Sequence, residues 1–193
     1  YKRQMYNHDS SPQIINCVFY NNQAGCVGDG IYNYQFSDAE ITNSVLWSVD
    51  GSGSPDVIMN INNSNPVVTY CVVQGGYGTP ADQNSDANPG FIDAQNGDFR
   101  VSSGSPCMDT GDNSAVPADI ADLDGDGNTA EPLPYDIAFK ARIFDYQCAA
   151  PAVVDIGAYE RTSAEYGDLD GDCRVDLYDF SILSGGWQSG NNR

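Results

Sequence analysis

The aspartates near the C-terminus are spaced as the ligands of a calcium ion. Between residues 168 and 179 they occupy positions 1, 3, 5, 9 and 12 of a loop, and position 7 offers a backbone carbonyl. Oxygen atoms in this order converge on one hard cation that takes six to eight oxygen ligands. We therefore predict a Ca2+ site here, and its ligands are Asp168, Asp170, Asp172, Arg174, Asp176 and Asp179.

A second acidic loop lies at residues 122–136. It has oxygen ligands at positions 1, 3, 5 and 7, but position 12 is Leu133, which has no side-chain ligand atom. A closing carboxylate would have to come from Glu131, Asp136 or Asp119. We predict a second Ca2+ site here, and the alternative is an uncomplexed Asp-Gly turn. The predicted ligands are Asp122, Asp124, Asp126 and the carbonyl of Asn128.

Three segments that begin at Ser11, Asp38 and Asn65 recur at a spacing of 27 residues. Each holds short β-rich runs that are broken by Asn, Gly, Ser, Asp or Pro, and no run has helical periodicity. A unit of this size buries an apolar face only by stacking on its neighbours. The sets expected to stack are Ile14, Ile41 and Val68; Phe19, Leu46 and Val73; Cys17, Ser44 and Cys71; and Asn7, Asn33 and Asn60.

Short strands stacked about 4.8 Å apart form a parallel β-solenoid, which is the fold that the repeat predicts. The alternative is a β-sandwich whose spacing is coincidental. Asn16 and Asn43 lie where a sharp turn between strands uses a residue that tolerates the left-handed conformation. Cys17 and Cys71 would be two repeats apart, too far for a disulfide, so we expect them to be small buried side chains.

The segments ITNSVLW, VTYCVVQGGY, GDFRVSSGSPCMDTG and DIGAYE resemble the last coils and the closing region of secreted bacterial proteins of the pectate-lyase-like superfamily. The resemblance covers about residues 5–160 and implies an all-β, right-handed parallel β-helix with three sheets. That superfamily includes polysaccharide lyases and hydrolases, and also large surface proteins without known activity. We expect coils over 1–90, a closing region over 91–162 and a calcium-binding segment over 163–193.

The last segment resembles a type I dockerin repeat through the phrase DLYDFSILSGGW. Leu177, Phe180 and Leu183 have helical spacing, so the resemblance implies a small EF-hand-like helical segment. Two features depart from the family: Cys173 replaces the usual Gly at position 6, and one repeat is present where cohesin-binding dockerins have two. The resemblance therefore implies calcium binding and leaves cohesin binding in doubt.

The predicted coils lack the basic groups of a polysaccharide lyase. There is no Lys or Arg between Arg3 and Arg100, so neither a base nor a cationic clamp for an acidic sugar is available there. The acids of the coils share no stacked position, as the paired carboxylates of a hydrolase would require. His8 is expected at the surface. We predict no enzyme, and the alternative is a calcium-dependent polysaccharide lyase or hydrolase whose catalytic coils lie upstream.

Tyr6, Tyr32 and Tyr34 are the candidate carbohydrate-stacking residues. Tyr6 and Tyr32 occupy equivalent positions, and Tyr34 is close by. Rings on a solvent-facing sheet would make the coils a carbohydrate-binding or scaffold-docking module. The alternative is that the rings stack on one another and stabilise the repeats.

Cys107 and Cys148 flank the irregular closing region and are the first candidates for a disulfide. A bond between Cys17 and Cys26 is a sequence-local alternative. Six cysteines, with few lysines, suit a secreted or cell-surface protein.

The chain carries 27 acidic and 8 basic residues, a formal net charge of −19. Such a surface repels nucleic acids and anionic membranes, and no stretch approaches the ~20 apolar residues of a membrane span. The first repeat would present an uncapped strand edge, so we expect either further coils upstream or another copy of the chain to pair with it. The predicted function is an extracellular, calcium-stabilised structural or adhesive protein. An extension of this prediction is that copies of the chain assemble head to tail into a filament or surface layer.

Overall fold

The computed structural model describes residues 4–22, 24, 28–48, 57–144, 151–161 and 180. The predicted calcium loop at 168–179 lies outside these residues. The strands are β1 (Met5–His8), β2 (Gln13–Ile15), β3 (Val18–Tyr20), β4 (Ile31–Tyr34), β5 (Glu40–Thr42), β6 (Val45–Trp47), β7 (Ile58–Ile61), β8 (Val67–Thr69), β9 (Val72–Val73), β10 (Phe91–Asp93) and β11 (Asp98–Val101). Short 3-10 helices span Pro80–Asp82, Ala94–Asn96 and Asn113–Ala115.

The first nine strands form three parallel sheets, in the orders β1-β4-β7, β2-β5-β8 and β3-β6-β9. Neighbouring strands of each sheet are one repeat apart in sequence, so the predicted pairing register is confirmed. The sets that pair are Ile14, Ile41 and Val68; Phe19, Leu46 and Val73; and Asn7, Asn33 and Asn60.

The predicted fold class, a right-handed parallel β-helix, is wrong. The parallel sheets are short groups of three strands and do not form a closed solenoid. The three predicted repeats do stack, but their strands are only two to four residues long and the closing region does not continue the parallel pairing. Residues 82–85 then run along the edge of β8 and β9, and the next pair of strands, β10 and β11, is antiparallel.

The apolar core lies between the three parallel sheets. Ile41 and Leu46 of the middle repeat are fully buried there, because a repeat packs on each side of them. Val45 points to the other face of β6 and is also fully buried. It packs in a second cluster with Cys107 and Ile156 of the closing region. The sheet β3-β6-β9 is therefore covered on both faces.

Each repeat turns between two of its strands at a residue with a left-handed backbone. The φ angles are 49° at Asn16, 50° at Asn43 and 50° at Tyr70. Asparagine adopts this conformation more readily than other non-glycine residues. The prediction for Asn16 and Asn43 is confirmed, and Tyr70 is the equivalent residue of the third repeat.

Cys17 and Cys71 are free thiols, of which Cys71 is buried as predicted and Cys17 is half-buried. Cys17 and Cys71 belong to a line of small residues, in which the Cys17 N–H donates to the Ser44 hydroxyl at 3.1 Å and the Ser44 N–H to the Cys71 sulfur at 3.4 Å. Burial raises the pKa of the Cys71 thiol to about 12. Cys107 is also a buried free thiol, so the disulfide predicted between Cys107 and Cys148 is not formed in the structure. Cys148 itself lies outside the described residues.

A line of hydrogen-bonded amides crosses the sheet β1-β4-β7. The Asn7 side chain donates to Asn33 at 2.7 Å, Asn33 donates to Asn60 at 2.9 Å, and Asn60 donates to the hydroxyl of Tyr77 at 2.9 Å. Asn33 is fully buried at the centre of the line. These bonds satisfy polar groups that the stacking removes from water.

We expect Asn33→Ala to lower the free energy of unfolding by about 2–3 kcal/mol, because it leaves a buried donor of Asn7 and an acceptor of Asn60 without partners. Urea denaturation measures the change. Asn65→Ala is the matched control, since Asn65 is exposed. Equal stability of the two variants would contradict the structural role given to the amide line.

Candidate metal centre

The acidic loop at 119–131 is closed at its base by two antiparallel segments. Ala118 pairs with Pro132, the Asp119 N–H donates to the Glu131 carbonyl at 2.8 Å, and the Leu133 N–H donates to the Pro117 carbonyl at 2.8 Å. This pairing places the carboxyl group of Asp119 beside that of Glu131, twelve residues later in the chain. The Asp-rich turn between them folds back over the pair.

Two overlapping groups of carboxylates form in this loop. Oxygen atoms of Asp119, Asp124 and Glu131 lie within 4.8 Å of one another, and so do those of Asp122, Asp124 and Asp126. Asp124 belongs to both groups. Like charges at this separation repel, and a bound cation removes the repulsion. The two groups could therefore hold a metal ion.

Asp119 gives this loop a buried carboxylate with a free oxygen. Its side chain is fully buried, and its Oδ2 accepts from the Leu123 N–H at 2.7 Å, but its Oδ1 has no hydrogen-bond partner. Oε1 of Glu131 is likewise buried without a partner, while Oε2 accepts from the Asn128 amide at 3.2 Å. Buried carboxylate oxygens without partners are costly, and metal coordination is one way of satisfying them.

The electrostatics of Glu131 reflect the same crowding. Burial is the largest cause that raises the pKa of its carboxyl group, and the charges of Asp126, Asp124 and Asp119 raise it further. A divalent cation among these groups would lower the pKa of Glu131, because it favours the ionised carboxylates.

The structure brings together three of the four ligands predicted for this loop. Asp122, Asp124 and Asp126 converge, and the backbone carbonyl of Asn128 stays a predicted ligand. The Asn128 side chain bridges the Ala130 N–H and the Glu131 carboxyl group. The sequence left three acids as candidates for the carboxylate that closes the site. Of these, Asp119 and Glu131 lie beside Asp124.

Asp136, the third acid considered, is directed to the backbone instead. Its Oδ1 accepts from the N–H groups of Ala138 and Lys140 at 2.8 and 2.7 Å, and its Oδ2 accepts from the Glu160 N–H at 2.8 Å. The carboxyl group therefore stabilises the turn at residues 136–140 and binds the backbone at residue 160.

A buried charge cluster in the closing region was not foreseen from the sequence. The Asp155 N–H donates to both carboxyl oxygens of Glu160, at 3.0 and 3.2 Å, and Arg142 Nη2 lies 3.4 Å from Glu160 Oε1. Burial raises the pKa of Glu160 to about 9 and that of Asp155 to about 6. The phrase DIGAYE contains both acids, but nothing in it indicates that they are buried.

The tyrosines considered for sugar stacking do lie together, on β1 and β4. The ring centroids of Tyr6 and Tyr32 are 5.5 Å apart with an interplanar angle of 21°, and His8, which is exposed as expected, lies 5.3 Å from Tyr34. Tyr6 and Tyr32 therefore stack on each other across neighbouring repeats, while Tyr6 stays 55 % exposed. This geometry fits stacking between repeats.

Comparisons with protein-family models, with curated proteins and with solved structures gave no match. Along the described part of the chain, no helix has the length and apolar character needed to span a membrane. The resemblances to the pectate-lyase-like superfamily and to dockerins therefore stay predictions.

Proposed function

We propose that this chain is an extracellular structural or adhesive module that Ca2+ stabilises through the loop at residues 119–131. The observation that carries the proposal is the convergence of Asp119, Asp124 and Glu131, with a fully buried carboxylate whose second oxygen has no partner. Ca2+ held there ties the Asp-rich turn to the paired base of the loop. The ion thereby stabilises the closing region, which packs on the sheet β3-β6-β9.

The donor set favours calcium over other metals. The two groups consist of carboxylates alone, and hard oxygen ligands suit Ca2+ and Mg2+ better than zinc or copper. Mg2+ requires nearly ideal octahedral geometry and keeps several waters, whereas Ca2+ accepts irregular sets of six to eight oxygens. A loop of several carboxylates and exposed backbone is an irregular set of this kind.

A structural role fits the remaining features better than catalysis. Strands β1 to β9 carry no Lys or Arg, and the buried polar groups of the repeats bond mainly to one another or to the closing region. The extracellular assignment is supported by the composition, because six cysteines with few lysines suit a secreted or cell-surface protein.

We expect saturating Ca2+ to raise the melting temperature of the full chain. At a concentration one hundred times the dissociation constant the stabilisation is about 2.7 kcal/mol, or roughly 5–10 °C for a chain of this size. Thermal unfolding with Ca2+ and with EDTA measures the shift, and calorimetric titration counts the sites.

Two double variants separate this loop from the one predicted at 168–179. Asp119→Asn with Asp124→Asn removes the binding event assigned here, and Asp168→Asn with Asp170→Asn removes the other. Asp86→Asn, at an exposed acid outside both loops, is the control. If Asp119→Asn with Asp124→Asn leaves the titration and the melting shift unchanged, the proposal fails.

A further inference from the structure

An open groove of about 700 Å3 lies between the first repeat and the closing region. Residues 15–19 line one side, and none of the described residues of the other two repeats contributes. The opposite side is mostly apolar and includes Phe99, Leu133, Tyr135 and Ile137. Its volume and its apolar lining are those of a ligand site. Ile137 is 65 % exposed, so part of this apolar lining faces solvent.

The strand beside this groove has a free edge. Within the described chain, β3 pairs only with β6. In that pairing the Val45 N–H donates to Cys17 and the Trp47 carbonyl accepts from Asn21, both at 2.8 Å. On β3, one repeat earlier, the equivalents of the Val45 N–H and the Trp47 carbonyl are the Val18 N–H and the Tyr20 carbonyl. Because the repeats share one register, these two groups point away from β6 and are available to another strand.

Two polar groups of the groove also lack partners. Nε of Arg142, a side chain that is 5 % exposed, has no hydrogen-bond acceptor, and Oδ1 of Asn16 has no donor. Both residues line the groove. One is a donor and the other an acceptor, so a ligand that offers both kinds of group suits them better than a simple anion, which only accepts.

We propose that the groove and the outer edge of β3 bind an extended strand of another polypeptide. Its backbone pairs with Val18 and Tyr20, and alternate apolar side chains enter the groove, as in other cases of strand addition. The side chains that face solvent are basic, because the chain has a net charge of −19 and complementary charge favours association. The same charge opposes a second copy of this chain as the partner.

The test uses the full chain and synthetic heptapeptides as probes. The first alternates Val and Lys, the second has Pro in place of its central Val, and the third has Glu in place of Lys. Fluorescence anisotropy of labelled peptides measures binding. We expect the Val-Lys peptide to bind and the other two to bind at least about tenfold more weakly, because Pro removes a backbone donor and Glu reverses the charge.

A matched pair of variants locates the site. Ile137→Glu places a charge in the groove, whereas Ile92→Glu places one at a residue of similar exposure, 53 %, outside it. We expect Ile137→Glu to weaken binding about tenfold, and Ile92→Glu to change it less than about twofold. Circular dichroism verifies that both variants fold.

Three results would overturn the proposal. The Pro peptide could bind as well as the Val-Lys peptide, which would exclude strand pairing. Ile92→Glu could weaken binding as much as Ile137→Glu, which would show that the loss does not arise at the groove. Sedimentation could reveal dimers that Ile137→Glu abolishes, which would assign the groove to a second copy of the chain.

Discussion

Asn43→Ala is expected to lower the free energy of unfolding by about 3–5 kcal/mol, the largest effect of any single substitution considered. Asn43 is fully buried and has a φ of 50°. Its amide donates to the Asp112 carbonyl at 2.9 Å and accepts from the Asp112 N–H at 2.8 Å. Alanine loses both bonds, leaves two groups of the closing region without partners, and adopts the left-handed conformation less readily.

A glycine variant separates the two causes. Asn43→Gly loses the same hydrogen bonds but adopts the left-handed backbone without steric cost, so it should be about 1 kcal/mol more stable than Asn43→Ala. Chemical denaturation of both variants and of the wild type measures the difference. A loss below about 1 kcal/mol for Asn43→Ala would mean that the amide does not anchor the closing region.

Stability is expected to fall by several kcal/mol between pH 5 and pH 9 because of the buried cluster around Glu160. Burial is the largest cause that raises the pKa of Glu160 from 4.5 to about 9, and the charges of Asp155 and Asp136 add to it. Between these two pH values the folded protein keeps a proton that the unfolded chain releases. The contribution to stability is therefore fully present below about 4.5 and is lost as the pH rises through about 9.

Asp155 adds a smaller loss of stability in a lower pH range. Burial raises its pKa from 3.8 to about 6, so its contribution disappears over that interval. Urea denaturation at pH 5, 7 and 9 follows both groups. Glu160→Gln stays neutral and keeps an acceptor for the Asp155 N–H. It should therefore remove most of the decrease in the free energy of unfolding above pH 6.

Glu40→Gln is the control for this pH dependence. Glu40 is exposed and accepts a hydrogen bond from Gln13 at 2.9 Å, so its neutral form should leave the slope unchanged. A wild-type protein equally stable at pH 5 and pH 9 would show that Glu160 titrates in the folded state as it does in the unfolded chain.

The repeat could be predicted from the sequence because its causes are local. Side chains alternate along a strand, and a left-handed turn selects asparagine, so the spacing of Ile14, Ile41 and Val68 and the turns at Asn16 and Asn43 were enough to set the register. The register does not, however, determine whether the sheets close into a solenoid. The predicted β-helix failed there, because the sheets are short groups of three strands that do not close.

The closing region could not be derived in the same way, since its contacts join segments far apart in sequence without any period. The Asp-rich spacing indicated a metal loop, but the choice of Asp119 and Glu131 depends on the pairing of Ala118 with Pro132. Similarly, the burial of Glu160 depends on contacts with Asp136 and Arg142, which lie about twenty residues earlier in the sequence.

The two ends of the repeat stack differ in their capacity for further pairing. At one end residues 82–85 bond to Tyr70, which follows β8, and to β9, through the Tyr70 N–H to Asp82 and the Val73 N–H to Ser85. At the other end β1, β2 and β3 each have one strand partner among the described residues. Within the described part of the chain, a strand that adds to this stack therefore adds beside β1, β2, β3 or β7, and not beside β9, whose edge is occupied by residues 82–85.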